Sequence, residues 1–148
     1  MRIDHLNIVV ADIERSADFY TNILGLKRGF GATLEGEWIE TATGLSPVRA
    51  QCVFVEPPEG GARIELLQYE TPEGAAIPAN ALPNTRGLRH LAFTVDDADA
   101  LLARLKSAGV ELISPPIAVP FAVGSMGRKR LCYFHDPDGV LLEIAAYG

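Results

Sequence analysis

The start and the middle of the sequence carry the same pattern of residues. Residues 4–12 read DHLNIVVAD and residues 89–97 read RHLAFTVDD, so that His5 and His90 occupy equivalent places 85 positions apart. In both stretches apolar residues recur at a spacing of two, which is typical of a strand with one buried face. The pattern predicts an internal duplication, in which two copies of one supersecondary unit pack together.

The ends of the two copies match as well. IELLQY at 64–69 and LEIAAY at 142–147 lie 78 positions apart and place Glu65 and Glu143 in equivalent positions. Apolar residues flank each glutamate, so strand alternation sends its side chain to the opposite face. Each copy is thus predicted to present a histidine from its first strand and a glutamate from its last strand, both on the face away from the core.

Each copy reads as a strand, a helix and about three further strands. Asp12 and Asp97 stand where they can cap the two helices, and Gly25 and Gly109 stand where the helices would end. The first helix is predicted over about 13–24, and the second follows Asp97. The remaining strands are predicted at about 27–34, 48–56 and 61–69 in the first copy and at about 110–113, 128–135 and 139–147 in the second.

Two segments have no counterpart in the other copy. Residues 35–47, around Trp38, read as a loop or a short strand, and residues 115–127 read as an apolar segment that contains glycine. Either segment is able to close over a small substrate like a lid. The alternative is that they pack against a second subunit.

These elements predict an α+β fold in a single domain over residues 1–148. Its two βαβββ modules are expected at about 1–70 and 87–148, and a linker rich in proline and glycine joins them at about 70–87. Neither module can cover its apolar face alone. The modules are therefore expected to form a curved mixed sheet around a shared cleft, with the helices outside.

The charge of the chain argues against two classes of partner. The formal net charge is -6 and the 13 Lys and Arg residues are scattered apart from the run at 128–130, so no basic stripe is available for nucleic acid. No apolar run approaches the roughly 20 residues of a membrane span. The first residues lack the pattern of a secretory signal, so a cytoplasmic location is expected.

Cys52 and Cys132 lie in apolar strand-like runs and are predicted to be reduced and buried.

The repeated histidines and glutamates predict a metal centre. A lone strand histidine is commonly satisfied by one hydrogen bond and a lone strand glutamate commonly faces water, but one of each per copy needs a common explanation. If the first and last strands of each copy are neighbours, the four side chains converge on the cleft. Two neutral imidazoles and two carboxylates suit Zn, Ni, Co, Fe or Mn and leave about two positions open in an octahedral shell. The predicted ligands are His5, Glu65, His90 and Glu143, and alternation also allows Asn7, Gln51 and Thr94 to face the cleft.

With these residues the chain resembles the vicinal oxygen chelate superfamily, which groups glyoxalases, bleomycin-resistance proteins and dioxygenases. The resemblance covers essentially the whole chain through DHLNIVVADIERSADFYTNILGL, ARIELLQY, RHLAFTVDDADALLARLKSAGVEL and FHDPDGVLLEI. It implies paired βαβββ modules with one divalent metal ion in the cleft. The four-ligand branch, which contains glyoxalase I and methylmalonyl-CoA epimerase, matches at His5, Glu65, His90 and Glu143.

The resemblance to that branch implies an isomerase, an epimerase or a lyase. Such an enzyme moves a proton next to a carbonyl of a small oxygenated substrate through a metal-bound enediolate. By resemblance Glu143 is the base and Glu65 its counterpart on the other face, although a glutamate that leaves the metal is able to take either role. Homodimers are common in the family, so a homodimer is expected.

Two other functions remain open at this point. A metal-dependent dioxygenase or resistance transferase of the same superfamily uses three ligands, and it predicts that Glu65 is not one of them. A non-catalytic protein that binds a drug or metabolite predicts a cleft that holds its ligand without metal. The resemblance implies neither glutathione nor CoA as part of the substrate, because Val9, Tyr69 and the HDPDG stretch at 135–139 replace the residues that recognise them.

Overall fold

The computed structural model describes residues 1–78 and 82–148. The chain divides into two units, Met1–Ala76 and Ile77–Gly148. The predicted linker spans about 70–87, and its residues 79–81 lie outside the described residues.

The first unit contains one mixed four-stranded sheet. Its strand order is β1-β4-β3-β2, with β1 parallel to β4 and the other neighbours antiparallel. A π-helical turn at Phe19–Ile23 continues the first helix. The elements are β1 (His5–Val9), α1 (Ile13–Asp18), β2 (Lys27–Glu35), α2 (Glu37–Thr43), β3 (Arg49–Glu56) and β4 (Arg63–Thr71).

The second unit repeats this topology. Its sheet has the order β5-β8-β7-β6, with β5 parallel to β8. The elements are β5 (His90–Thr94), α3 (Ala98–Ser107), β6 (Ile117–Ala122), a 3-10 turn (Gly124–Met126), β7 (Arg128–His135) and β8 (Leu141–Tyr147). The predicted α+β class, with a mixed sheet in each copy, is confirmed.

Helices α1 and α3 begin at the aspartates identified in the sequence. The Asp12 side chain accepts a hydrogen bond from the Arg15 amide at 3.0 Å, and Asp97 accepts one from the Ala100 amide at 2.9 Å. Each cap satisfies an amide that has no partner inside the helix. The chain leaves the first helical segment at Gly25, whose φ of 85° is a left-handed conformation that favours glycine.

Three local predictions were wrong. Residues 110–113 form no strand, and only Leu112 makes an isolated bridge, to Phe134. The strand lies instead at β6, inside the segment predicted to be a possible lid. Pro120 argues against a strand in the sequence, but an edge strand with an irregular register tolerates a proline. The loop around Trp38 contains α2, which packs only Ile39 into the interior and so shows no clear apolar period.

The helix of each unit packs on one face of its sheet. In the first unit α1 contacts β3 and β4, and in the second α3 contacts β8. Ile64 and Leu66 are buried on either side of Glu65, and Leu142 and Ile144 are buried on either side of Glu143. Strand alternation therefore places each glutamate on the face away from those apolar neighbours. Among the described residues no helix is long and apolar enough to cross a membrane.

We expect replacement of either helix cap by alanine to destabilise the chain. Asp12→Ala and Asp97→Ala each remove the acceptor of a helix amide, so the free energy of unfolding should fall by about 1 kcal/mol in each case. Urea unfolding followed by circular dichroism measures this change. The exposed neighbour Asp96 provides the control, since Asp96→Ala should stay within about 0.5 kcal/mol of the parent. Cap variants as stable as that control would contradict the expectation.

Candidate metal centre

The histidine and glutamate of each unit are brought together by a parallel strand pair. In the pairing of β1 with β4, Asn7 lies opposite Glu65, and in the pairing of β5 with β8, Ala92 lies opposite Glu143. Each histidine stands two residues before that position, so it shares a face with the glutamate. The two units thus build the same pair with the same register.

The first half-site consists of His5 and Glu65. Nε2 of His5 lies 3.5 Å from Oε2 of Glu65, and Asn7 donates a hydrogen bond from Nδ2 to the same oxygen at 3.1 Å. The other carboxylate oxygen lies 3.8 Å from Sγ of Cys52. Burial and the charge of Glu65 raise the pKa of the Cys52 thiol to about 11, so this cysteine is a neutral donor near pH 7. The carboxylate of Glu65 therefore has neutral side chains beside it.

A second set of contacts orients His5. Its Nδ1 lies 2.8 Å from Oδ2 of Asp4, and the Arg63 guanidinium lies 2.5 Å from the same oxygen. Arg63 also covers the Phe54 ring at 4.6 Å, and that ring meets the imidazole edge to face. His5 and Arg63 hold the pKa of Asp4 below its usual value. The contact of Asp4 with Nδ1 fixes the orientation of the ring and places Nε2 on the side of Glu65.

The second half-site consists of His90 and Glu143. Nε2 of His90 lies 3.1 Å from Oε2 of Glu143, and the Lys129 ammonium forms an ion pair with Oε1 of the same carboxylate. The Tyr133 ring meets the imidazole edge to face at 5.3 Å. Glu143 is 2% exposed. Its negative charge raises the pKa of Lys129, and burial together with that charge raises the pKa of Tyr133.

One difference between the two half-sites is a basic residue that only the second contains at a pair of equivalent positions. Tyr69 and Tyr147 are equivalent residues of the two last strands. Lys129 pairs with Tyr147 and Ala50 pairs with Tyr69, so Ala50 is the equivalent of Lys129 in the first unit. Lys129 is not among the predicted site residues, because in the sequence it stands out only as part of the basic run at 128–130. Strand alternation contained the missing signal, because Lys129 falls on the face opposite the apolar Cys132 and Phe134, just as Glu143 falls opposite Leu142 and Ile144.

The remaining candidates divide into those near a half-site and those away from it. Asn7 contacts Glu65, as described, whereas Gln51 bonds to Glu70 and Thr33. Thr94 and His135 are exposed. Cys52 and Cys132 are free and buried, as predicted.

The donors of each half-site fit a divalent metal ion. Ligands that each lie about 2.1 Å from one ion are separated by about 3.0–3.4 Å at octahedral or tetrahedral angles. The separations of 3.1 and 3.5 Å between imidazole nitrogen and carboxylate oxygen match this spacing. Oε1 of Glu143 is buried and is paired with the Lys129 ammonium, so Oε2 is the oxygen that faces His90. Within the described ranges no three His, Cys, Asp or Glu residues cluster as metal ligands, so each half-site offers two donors.

The chain is similar to known proteins along nearly its whole length. Residues 2–144 match the sequence model of the Glyoxalase/Bleomycin resistance protein/Dioxygenase superfamily. The chain is 32% identical to the uncharacterized protein YaeR of Escherichia coli (strain K12), over 97% of this chain and 94% of YaeR. It is 30% identical to the mitochondrial methylmalonyl-CoA epimerase of Homo sapiens, over 97% of this chain and 72% of that protein.

A solved structure shares the fold. The glyoxalase family protein APC24694 from Bacillus cereus superposes with a TM-score of 0.86 at 31% sequence identity, covering 99% of this chain and 94% of that one. The family match extends from the first strand to the last, through both histidines and both glutamates. The chain therefore belongs to the Glyoxalase/Bleomycin resistance protein/Dioxygenase superfamily.

Proposed function

We propose that this protein is a divalent-metal-dependent isomerase, epimerase or lyase that moves a proton next to a carbonyl of a small oxygenated substrate. The observation that carries the proposal is the repeated pair of an imidazole Nε2 and a carboxylate Oε2, 3.5 Å apart in one unit and 3.1 Å apart in the other. The similarity to methylmalonyl-CoA epimerase supports the reaction class. The metal ligands in this proposal are His5, Glu65, His90 and Glu143.

The charges of the donors suit such an ion. A bound divalent ion would act as a Lewis acid that polarises the substrate carbonyl and makes the adjacent carbon more acidic. Asp4 contacts Nδ1 of His5, so Nε2 is the imidazole nitrogen that would bind the ion. Glu65 and Glu143 together carry two negative charges, which balance those of the ion.

The two carboxylates also supply the proton-transfer groups. Glu143 is 2% exposed, so in our proposal it accepts the proton from carbon in a site that excludes water. Glu65, at 18% exposure, is its counterpart and returns a proton or accepts one in the reverse sense. Asn7 holds Oε2 of Glu65 through its amide, which orients that carboxylate. An epimerase needs both an acid and a base, and the two glutamates provide them.

The proposal retains three expectations from the sequence. They are a small-molecule substrate with no nucleic-acid or membrane partner, a homodimer, and a cytoplasmic location. The formal net charge of -6 supports the first of these.

We expect the purified protein to bind about one divalent ion per chain. His5→Ala or His90→Ala removes one nitrogen ligand, so affinity for zinc should fall at least about 100-fold in each variant. Isothermal titration with zinc, nickel, cobalt and manganese measures affinity, and elemental analysis gives the stoichiometry. The matched control is His135→Ala, because His135 is exposed and belongs to neither half-site.

The metal experiment has three informative outcomes. A wild-type chain that binds no ion contradicts the proposal and favours a binding protein that works without metal. If Glu65→Ala retains full affinity, the three-ligand dioxygenase or transferase alternative replaces the four-ligand site. Two ions per chain would mean that each half-site binds its own ion.

We expect the metal-loaded protein to exchange a carbon-bound proton with solvent. In heavy water, an α-hydroxy carbonyl substrate should incorporate deuterium next to its carbonyl, as followed by proton NMR. Glu143→Gln and Glu65→Gln remove proton-transfer groups, so exchange should slow by about 10²- to 10⁴-fold. The exposed Glu59 lies outside both half-sites, and Glu59→Gln should exchange at the wild-type rate. If loaded wild type shows no exchange with a panel of such substrates, proton transfer is not its activity.

A further inference from the structure

The second half-site contains a cation that the first one lacks. Lys129 is 17% exposed and its ammonium pairs with Oε1 of Glu143, the carboxylate whose other oxygen faces His90. In the first unit the equivalent residue is Ala50, which is fully buried. The basic residue nearest to His5, Arg63, pairs with Asp4 rather than with Glu65. Among the described residues, the carboxylate of Glu143 is therefore paired with an ammonium and that of Glu65 is not.

An ammonium paired with this carboxylate repels any metal ion that binds the same carboxylate. The two oxygens of one carboxylate are close together, so the ammonium on Oε1 and a divalent ion on Oε2 would be separated by only a few ångströms. Glu143 is almost completely buried, and water can screen this repulsion only weakly. The same ammonium keeps the buried carboxylate paired when no ion is bound.

We propose that Lys129 is a charge-tuning residue that competes with the metal ion for Glu143 and lowers the affinity of the site for divalent ions. The inference rests on the proposed function, because it takes Glu143 to be a metal ligand. The inference predicts the direction of the change in metal affinity when Lys129 is replaced. Loss of a residue that only supports the structure weakens metal binding, whereas loss of the Lys129 charge strengthens it.

The deciding variant is Lys129→Gln, which keeps a hydrogen-bond donor near Oε1 and removes the charge. Zinc affinity is measured by competition with a chromophoric chelator at fixed pH and ionic strength. We expect Lys129→Gln to bind zinc at least about tenfold more tightly than wild type. Lys129→Arg restores the charge and should return the affinity close to the wild-type value.

Two further variants separate charge tuning from general disturbance. Arg130→Gln removes the adjacent basic residue, whose guanidinium pairs with Asp99 at the surface, and should leave zinc affinity unchanged. Asp4→Asn removes the negative partner of His5 and should weaken zinc binding. Opposite changes in Lys129→Gln and Asp4→Asn are the pattern that charge tuning requires.

Failure of this inference and failure of the proposed function give different results. If wild type binds zinc and His90→Ala does not, but Lys129→Gln binds with equal or lower affinity than wild type, charge tuning is wrong and the metal site stands. If wild type binds no zinc, or Glu143→Ala binds it as well as wild type does, the metal site itself is wrong.

A measurement on the wild-type chain keeps the inference testable if Lys129→Gln does not fold. The chain has three lysines, at positions 27, 106 and 129. After reductive methylation with ¹³C-formaldehyde, each lysine gives its own NMR signals, and Lys129→Arg identifies those of Lys129. Zinc should shift the Lys129 signals and leave those of Lys27 and Lys106 in place. Lys129 signals that do not change at saturating zinc would overturn the competition.

Discussion

The parallel pairing of the first and last strands of each unit is the constraint on which both half-sites depend. Parallel neighbours require a long crossover, and the helix with the intervening antiparallel strands provides it. In β1 with β4, and again in β5 with β8, the residue two places after the histidine lies opposite the glutamate. A slip of one residue would turn the glutamate toward the core and separate the donors. The helices, hairpins and apolar faces hold this register.

The same pairing creates an electrostatic difficulty at Glu143. Leu142 and Ile144 are buried on either side of it, and the carboxylate is 2% exposed. A buried charge that has lost its partner destabilises a protein by about 3–5 kcal/mol. The Lys129 ammonium and the His90 imidazole supply partners from neighbouring strands. Glu65 is more exposed, and the neutral groups of Asn7 and Cys52 suffice for it.

The duplication has conserved the backbone arrangement and changed the surroundings of the donors. His5 is held through Nδ1 by a carboxylate that is itself paired with Arg63, whereas in the second unit the contacts fall on Glu143, from Lys129. In the first half-site a charged side chain contacts the imidazole, and in the second a charged side chain contacts the carboxylate. The two equivalent pairs of donors therefore have different charge environments.

The sequence by itself determined the features that depend on local chemistry. Strand alternation placed the histidines and glutamates on one face, and Asp12 and Asp97 marked the helix starts, because period and capping involve residues that are close in the chain. It did not reveal β6, where Pro120 obscures an edge strand, or α2, which buries only Ile39. Only the tertiary structure decided that Lys129 meets Glu143 and that Asp4 meets both His5 and Arg63. Those contacts depend on the register between strands and on side-chain orientation, which are set by packing across the whole sheet.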